Sequence, residues 1–182
     1  MVVKAAERYF ALPLACRIHE GLRFNNRDQR TLMDILLLLL NELCIALACY
    51  FVADAYYATG KIIRPSLRTG QHLITAVKSN AVAYEPVAAP ATRGRGRPRH
   101  YGRKHRLKNL FDDPSAFTAA GSPIYGEKGV TLRYRTVDLL WRPVGPLVRF
   151  VAVIHPHRGC RIFLATDVTL GPLEIHQRPS RS

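Results

Sequence analysis

Between Asn25 and Leu43, apolar residues fall at Leu32, Ile35, Leu36, Leu39, Leu40 and Leu43. Spacings of three and four place them on one face of a helix, and Asn25 or Asn26 is available as its N-cap. The pattern then changes. ACYFVADA, which closes on Asp54, is short and β-rich, and predicts a buried central strand. GKIIRPSLRTG suits a short helix or turn stopped by Gly70, and QHLITAVKSN a second strand with Leu73, Thr75 and Val77 on one face. Helix, strand, helix, strand is the order of a parallel α/β unit. Ahead of it, YFALPLACRI reads as a strand that Pro13 confines to an edge or a bulge.

At Tyr84 the pattern gives way to a stretch rich in Pro, Gly and Arg, with no acid between Glu85 and Asp112. Its cations are Arg93, Arg95, Arg97, Arg99, Arg103, Lys104, Arg106 and Lys108, and its first half suits neither strand nor long helix. Beyond Gly129 the sequence is β again: VTLRYRTVDLLWR, GPLVRFVAVIHP and CRIFLATDVTL. Short Pro- and Gly-bearing connections between these runs predict an antiparallel meander. Arg133, Arg135 and Arg149 are then expected on exposed faces or edges, within reach of phosphate.

With 182 residues and 48% apolar composition, the chain can form one ordinary domain with room for a small second module. The 27 Lys and Arg against 13 Asp and Glu leave a net charge of +14, spread along the chain, which favours a polyanionic partner, nucleic acid ahead of an anionic membrane surface. Cys16, Cys44, Cys49 and Cys160 have no CxxC spacing, and a reducing cytoplasm fits them. Glu7 and Arg8 interrupt the apolar core that a secretion signal needs. Residues 35–53 approach the length of a membrane span, but Asn41 and Glu42 lie inside it. A charge at mid-bilayer costs about 2.5 to 3.5 kcal/mol. A helix followed by a strand explains the same residues without that cost, so no membrane association is expected.

Asp54 admits two readings. It can cap the turn that follows its strand, or it can bind a metal, because open α/β sheets place their chemistry at the carboxyl ends of strands. Arg95, Gly96, Arg97 and Pro98 form the core of an AT-hook, in which arginines enter the narrow minor groove of A/T-rich DNA. A solvated basic loop that touches only phosphate is the favoured reading of the same residues, and both involve nucleic acid. HPHRGC brings two imidazoles and a thiol together, yet lies at a predicted hairpin turn with no second cluster to complete four zinc ligands. Asp112 and Asp113 suit a turn before Pro114. There is no Gly-x-Ser-x-Gly elbow and no phosphate-binding glycine loop.

Taken together, YFVADAYYATGKIIRPSLRTGQHLITAVKSNAVAY, RGRGRPRHYG, GVTLRYRTVDLLWRPVGPLVRFVAVIHP and IFLATDVTLGPLEI closely resemble DDE-type transposases of bacterial insertion sequences, from about Tyr9 to Ile175. The resemblance implies an α/β, ribonuclease H-like fold in which three carboxylates hold two divalent ions, Mg²⁺ or Mn²⁺, for DNA cleavage and strand transfer. Asp54 matches the second of those acids, as a catalytic and metal-binding position. The implied organisation is a partial ribonuclease H-like core over residues 1–83, a basic loop region over 84–128, a β-rich antiparallel insertion over 129–170 and a truncated tail over 171–182. The regions of the first Asp and of the catalytic Glu have no counterpart, and Glu174 matches a position upstream of that Glu. If other acids joined Asp54, Asp167 and Glu174 would be the first candidates. An incomplete transposase follows, binding Mg²⁺ weakly and cleaving no DNA alone. Its expected partners are transposon ends or A/T-rich duplex DNA, and either a second copy or an intact transposase meeting a sheet edge left open near Tyr50 and Leu73. The alternatives are a non-catalytic basic DNA-binding protein, which needs no metal, and an RNA-binding protein, for which few aromatic residues stand among the arginines.

Overall fold

The helix and strand alternation read from the sequence folds as a β–α–β crossover joined to an antiparallel meander. The computed structural model describes residues 2–5, 8–11, 30–42, 49–87 and 99–177, and the chain divides into two units, residues 1–48 and 49–182. In the first unit, β1 (Val2–Ala5) pairs antiparallel with β2 (Arg8–Ala11), followed by α1 (Leu32–Glu42). Thr31 and Asp34 start α1 reciprocally. The Thr31 N–H and hydroxyl donate to the Asp34 carboxylate at 2.9 and 2.6 Å, and the Asp34 N–H donates back to Thr31 Oγ1 at 3.4 Å. This satisfies amides that have no partner inside the helix. The predicted cap at Asn25 or Asn26, the strand interruption at Pro13 and the last apolar position, Leu43, lie outside the described residues.

The second unit begins with β3 (Tyr50–Ala53), a 3-10 turn (Ala55–Tyr57), α2 (Gly60–Arg68) and β4 (His72–Val77). β3 and β4 are parallel, Tyr50 opposite His72 and Ala53 opposite Thr75, as the alternation predicts. Helix α2 buries Ile62, Ile63 and Ser66 and exposes Lys61, Arg64 and Arg68, so its apolar stripe packs on the sheet. Gly70 follows it with φ +73°, a left-handed conformation that favours glycine.

After β4 come β5 (Val82–Tyr84), β6 (Lys104–Arg106), 3-10 turns at Leu107–Phe111 and Pro114–Ala116, and β7 (Thr118–Gly121). The predicted meander is β8 (Thr131–Leu140), β9 (Leu147–His155) and β10 (Gly159–Ala165), and α3 (Pro172–Gln177) follows. β10 pairs with β9 on one side and β4 on the other, which closes a mixed eight-stranded sheet in the order β3-β4-β10-β9-β8-β5-β6, with β7 also on β8. One face buries Leu73, Phe150 and Leu164 against Ile63, Leu107 and Trp141. The other buries Ile74, Val153 and Phe163 against Leu170 and Ile175. This mixed α/β architecture is compatible with a ribonuclease H-like core. Strands from residues 1–83 and from residues 129–170 share the one sheet.

One expectation is corrected. β3, read as a buried central strand, is the last strand of the sheet among the described residues, and all four of its residues are only half-buried. An apolar β-rich run shows that a strand packs, not how many neighbours it has. β4, by contrast, is paired on both edges, with β3 and β10.

Gly60 fixes how α2 meets the turn between β8 and β9. A Cβ there would overlap the Pro143 carbonyl oxygen, and Arg64 donates from Nε to Pro143 O at 2.9 Å and from Nη2 to Arg142 O at 3.3 Å. Overpacking at such a contact costs about 1 to 3 kcal/mol. Gly60→Ala is therefore expected to lower the unfolding free energy by about that amount in urea titration, and an unchanged midpoint would show that helix and turn part freely.

Candidate functional site

β3 delivers Asp54 to the start of the Ala55–Tyr57 turn. Its Oδ1 accepts the Tyr56 N–H at 2.8 Å, and its backbone carbonyl accepts the Thr75 hydroxyl at 2.7 Å. The carboxylate is exposed at the carboxyl end of a parallel strand, so one residue fulfils the capping geometry and occupies a position where open sheets hold ligands.

Among the described residues, no other acid joins it. Asp167 accepts the Tyr50 hydroxyl at 2.6 Å, and the Thr169 N–H and hydroxyl at 2.8 and 2.6 Å. The hydrogen bonds from Thr169 and then Tyr50 pull its carboxyl down to about 2. Tyr50 and Asp54 lie at opposite ends of β3, about 13 Å apart along an extended strand. Glu174 accepts the Gly171 N–H at 3.1 Å and serves as a local cap for α3. Among the described residues, no three His, Cys, Asp or Glu side chains gather as a metal site. A centre that holds two hard cations needs several carboxylates around one point, and the described donors do not fit it.

The basic segment is anchored at its base. The Glu85 N–H donates to Arg103 O at 3.0 Å and the Gly102 N–H to Glu85 O at 2.9 Å, while β6 pairs with β5 so that Lys104 lies opposite Tyr84. Buried Leu107 and Leu110 fix the chain just after it. Arg99, Arg103, Lys104, Arg106 and Lys108 are all exposed. Arg93, Arg95 and Arg97, and with them the AT-hook core, lie outside the described residues. Arg133 is exposed as expected, and Arg135 is half-buried and donates to Leu110 O at 3.1 Å. Arg149 is a correction. Half-buried, it forms a bidentate pair with Asp138, its cross-strand neighbour, at 2.8 and 2.7 Å, and donates to Leu170 O at 3.0 Å. These bonds hold its donors inside the protein and away from phosphate.

The HPHRGC turn is also locked internally. His155 Nδ1 accepts the N–H groups of His157 and Arg158 at 3.1 and 3.2 Å, and its Nε2 lies 2.9 Å from Glu127 Oε2. Glu127 further accepts the Ser122 hydroxyl and pairs with Arg158 at 2.8 Å. Hydrogen bonds from Ser122 and His155 hold the Glu127 carboxyl at about 2, so both ring nitrogens of His155 serve the fold. Asp112 and Asp113 sit at the boundary of two 3-10 turns, the turn role predicted for them, and Asp113 accepts the Ser115 N–H at 3.1 Å.

Sequence reasoning missed one cluster. Tyr84 and Tyr101 have ring centroids 5.1 Å apart, and the Arg142 guanidinium carbon lies 4.6 Å from the first centroid and 5.2 Å from the second. Nothing in the spacing of residues 84, 101 and 142 announces their contact.

A family model described as DDE superfamily endonuclease matches residues 21–142, two thirds of the chain, including Asp54, the β3–α2–β4 crossover and the basic segment. The chain belongs to this family. No curated protein matches the sequence. Divalent metal is the usual cofactor of DDE endonucleases and DNA their substrate. No helix of the described residues is long and apolar enough to cross a membrane.

Asp167 makes a measurable contribution to acid stability. Its carboxyl titrates near 2 in the fold instead of 3.8, so its stabilisation is present above about pH 4 and is lost as pH falls toward 2. The melting temperatures of wild type and Asp167→Asn should differ at pH 5 and converge toward pH 2, whereas a constant gap would mean that the Tyr50 and Thr169 bonds do not depend on its charge.

Proposed function

We propose that this chain is a DNA-binding derivative of an insertion-sequence transposase of the DDE type, which retains Asp54 as one metal-ligand position and neither cleaves nor transfers DNA by itself. The observation that carries this reading is the isolation of Asp54 among the described residues: Asp167, which follows β10, is engaged by Thr169 and by Tyr50 at the opposite end of β3 from Asp54. One carboxylate gives Mg²⁺ or Mn²⁺ little hold, since magnesium keeps most of its waters and binds usefully only among several anionic neighbours. The chemistry a metal pair supplies in the family is activation of the attacking oxygen and stabilisation of the leaving one. Asp54 in this chain caps a turn, and no step is assigned to it.

The DNA-binding half of the proposal rests on charge and exposure. Arg99, Arg103, Lys104, Arg106 and Lys108 are exposed along one segment that pairs with β5 and is fixed at its end by buried Leu107 and Leu110, and Arg93, Arg95 and Arg97 extend it in sequence. Such cations bind phosphate by releasing condensed counterions, which makes the affinity fall steeply with salt. We assign duplex DNA, transposon ends or A/T-rich sequence, as the partner. The edge of β3 that has no partner strand among the described residues is assigned to a second copy or to an intact transposase, and the cytoplasm is the compartment.

The test is anisotropy of a labelled duplex titrated with the chain over a range of salt, in Mg²⁺ and in EDTA, with cleavage scored on gels from the same tubes. Binding should weaken steeply with salt and ignore EDTA and Asp54→Ala, and no nick should form. Lys104→Ala and Arg106→Ala should each reduce the slope of log affinity on log salt by about one. Mg²⁺-dependent nicking that Asp54→Ala abolishes would sink the non-cleaving assignment.

A further inference from the structure

The cluster around Arg142 adds a feature that a solvated basic loop does not have. Tyr84, at the end of β5, is opposite Lys104 of β6 on one side and Leu140 of β8 on the other. Arg142 follows Leu140 by two residues, and Tyr101 stands where the chain returns from the basic segment. The pairing of three strands thus gathers residues distant in sequence. The Tyr84 and Tyr101 rings are tilted by 52°, and the Arg142 guanidinium lies against both of them. His100 is exposed and meets Tyr101 edge-on at 4.7 Å and 85°. The turn beneath is fixed by the two bonds from Arg64 to the carbonyls of Arg142 and Pro143.

Among the described residues, no carboxylate pairs with Arg142, although its side chain is exposed. The adjacent acid, Glu85, is engaged by His105 at 2.7 Å. An exposed arginine with no such support samples many rotamers and loses that freedom on binding. Two tyrosines hold this guanidinium in advance by cation–π contact, while Arg142 stays exposed to a ligand. An aromatic or guanidinium plane of this kind takes the face of a nucleobase, and in a duplex that face is covered by the neighbouring pairs. Only an unpaired nucleotide can offer it. Exposed Lys104, the cross-strand neighbour of Tyr84, is available for the phosphates of the same strand.

We propose that Tyr84, Tyr101, His100 and Arg142 form a site for an unpaired nucleotide, so that the chain prefers duplex DNA that carries a single-stranded extension. This rests on the DNA-binding reading above and specifies the form of DNA that this part of the surface takes.

The experiment uses the full chain and three labelled DNAs: a blunt duplex, the same duplex with a six-nucleotide unpaired extension, and that duplex with an abasic extension of equal length. The extension should tighten binding about ten-fold, the size expected for stacking of one base, and the abasic extension should lose most of that gain. Arg142→Lys keeps the charge but not the planar group, and should remove the gain while leaving blunt-duplex affinity within about two-fold. Tyr101→Ala should act like it, and Tyr101→Phe should keep the gain. Equal tightening by the abasic extension, or a full gain in Arg142→Lys, would overturn the site in favour of phosphate contact alone. Blunt-duplex binding with no gain from any extension overturns the nucleotide site and leaves the DNA-binding reading intact. Binding only to extended DNA would support the site and overturn duplex recognition by the basic segment.

Discussion

Burial of β4 on both faces and both edges is the constraint around which residues 49–182 are arranged. Its Leu73 and Ile74 are fully buried on opposite faces, each removal from water contributing about 1.5 to 3 kcal/mol. Such a strand needs a layer on each side, and α2 and α3 supply them. It also needs a partner along each edge, and these are β3 and β10. The junction with β10 is reinforced just beyond the ladder, where Thr166 donates its N–H to the Leu73 carbonyl at 3.0 Å and accepts the Leu73 N–H on its hydroxyl at 2.9 Å. Thr75 is fully buried within the same strand, and its hydroxyl bonds the Asp54 carbonyl. The position of the candidate ligand is therefore a consequence of how β4 is packed.

Geometry along the sheet keeps apart the acids that were candidates for one metal site. Asp54, Asp167 and Glu174 are all acids near element ends, and each has a local employment in the fold: a turn cap, a hydrogen-bonded latch on Tyr50, and a cap of α3. The cations divide in the same way. Arg149 is held by Asp138 and Arg158 by Glu127, whereas residues 99–108 keep their charge outward. The surface field offered to a polyanion is thus concentrated more strongly on one segment than the even spread of charge along the chain implies.

Most of the architecture of the second unit was legible in the sequence, because its signals are local. The apolar stripe and terminal Gly70 of α2, the parallel order of β3 and β4, and the three-strand meander with Pro- and Gly-bearing turns all follow from periodicity and turn chemistry. The place of β3 at the edge was not legible, since it depends on which strand β10 joins across a long stretch of chain. Arg149 was misplaced for a related reason. Only the register that sets Asp138 opposite it shows that its charge is satisfied inside the fold. Family membership was readable from motifs. The Tyr84–Tyr101–Arg142 cluster was not, as it is assembled from three segments by strand pairing.

The junction between Thr166 and Leu73 also has a meaning in time. These residues are 93 positions apart, whereas β3 pairs with β4 across one short helix and the meander pairs neighbour with neighbour. Closure of so long a loop carries a large entropic cost before its contacts repay it. The local pieces therefore form early, and β4 keeps one edge of backbone N–H and C=O groups unpaired until β10 reaches it. During synthesis that interval lasts until residues 159–165 have left the ribosome, which makes β4 a point at which a growing or stalled chain aggregates.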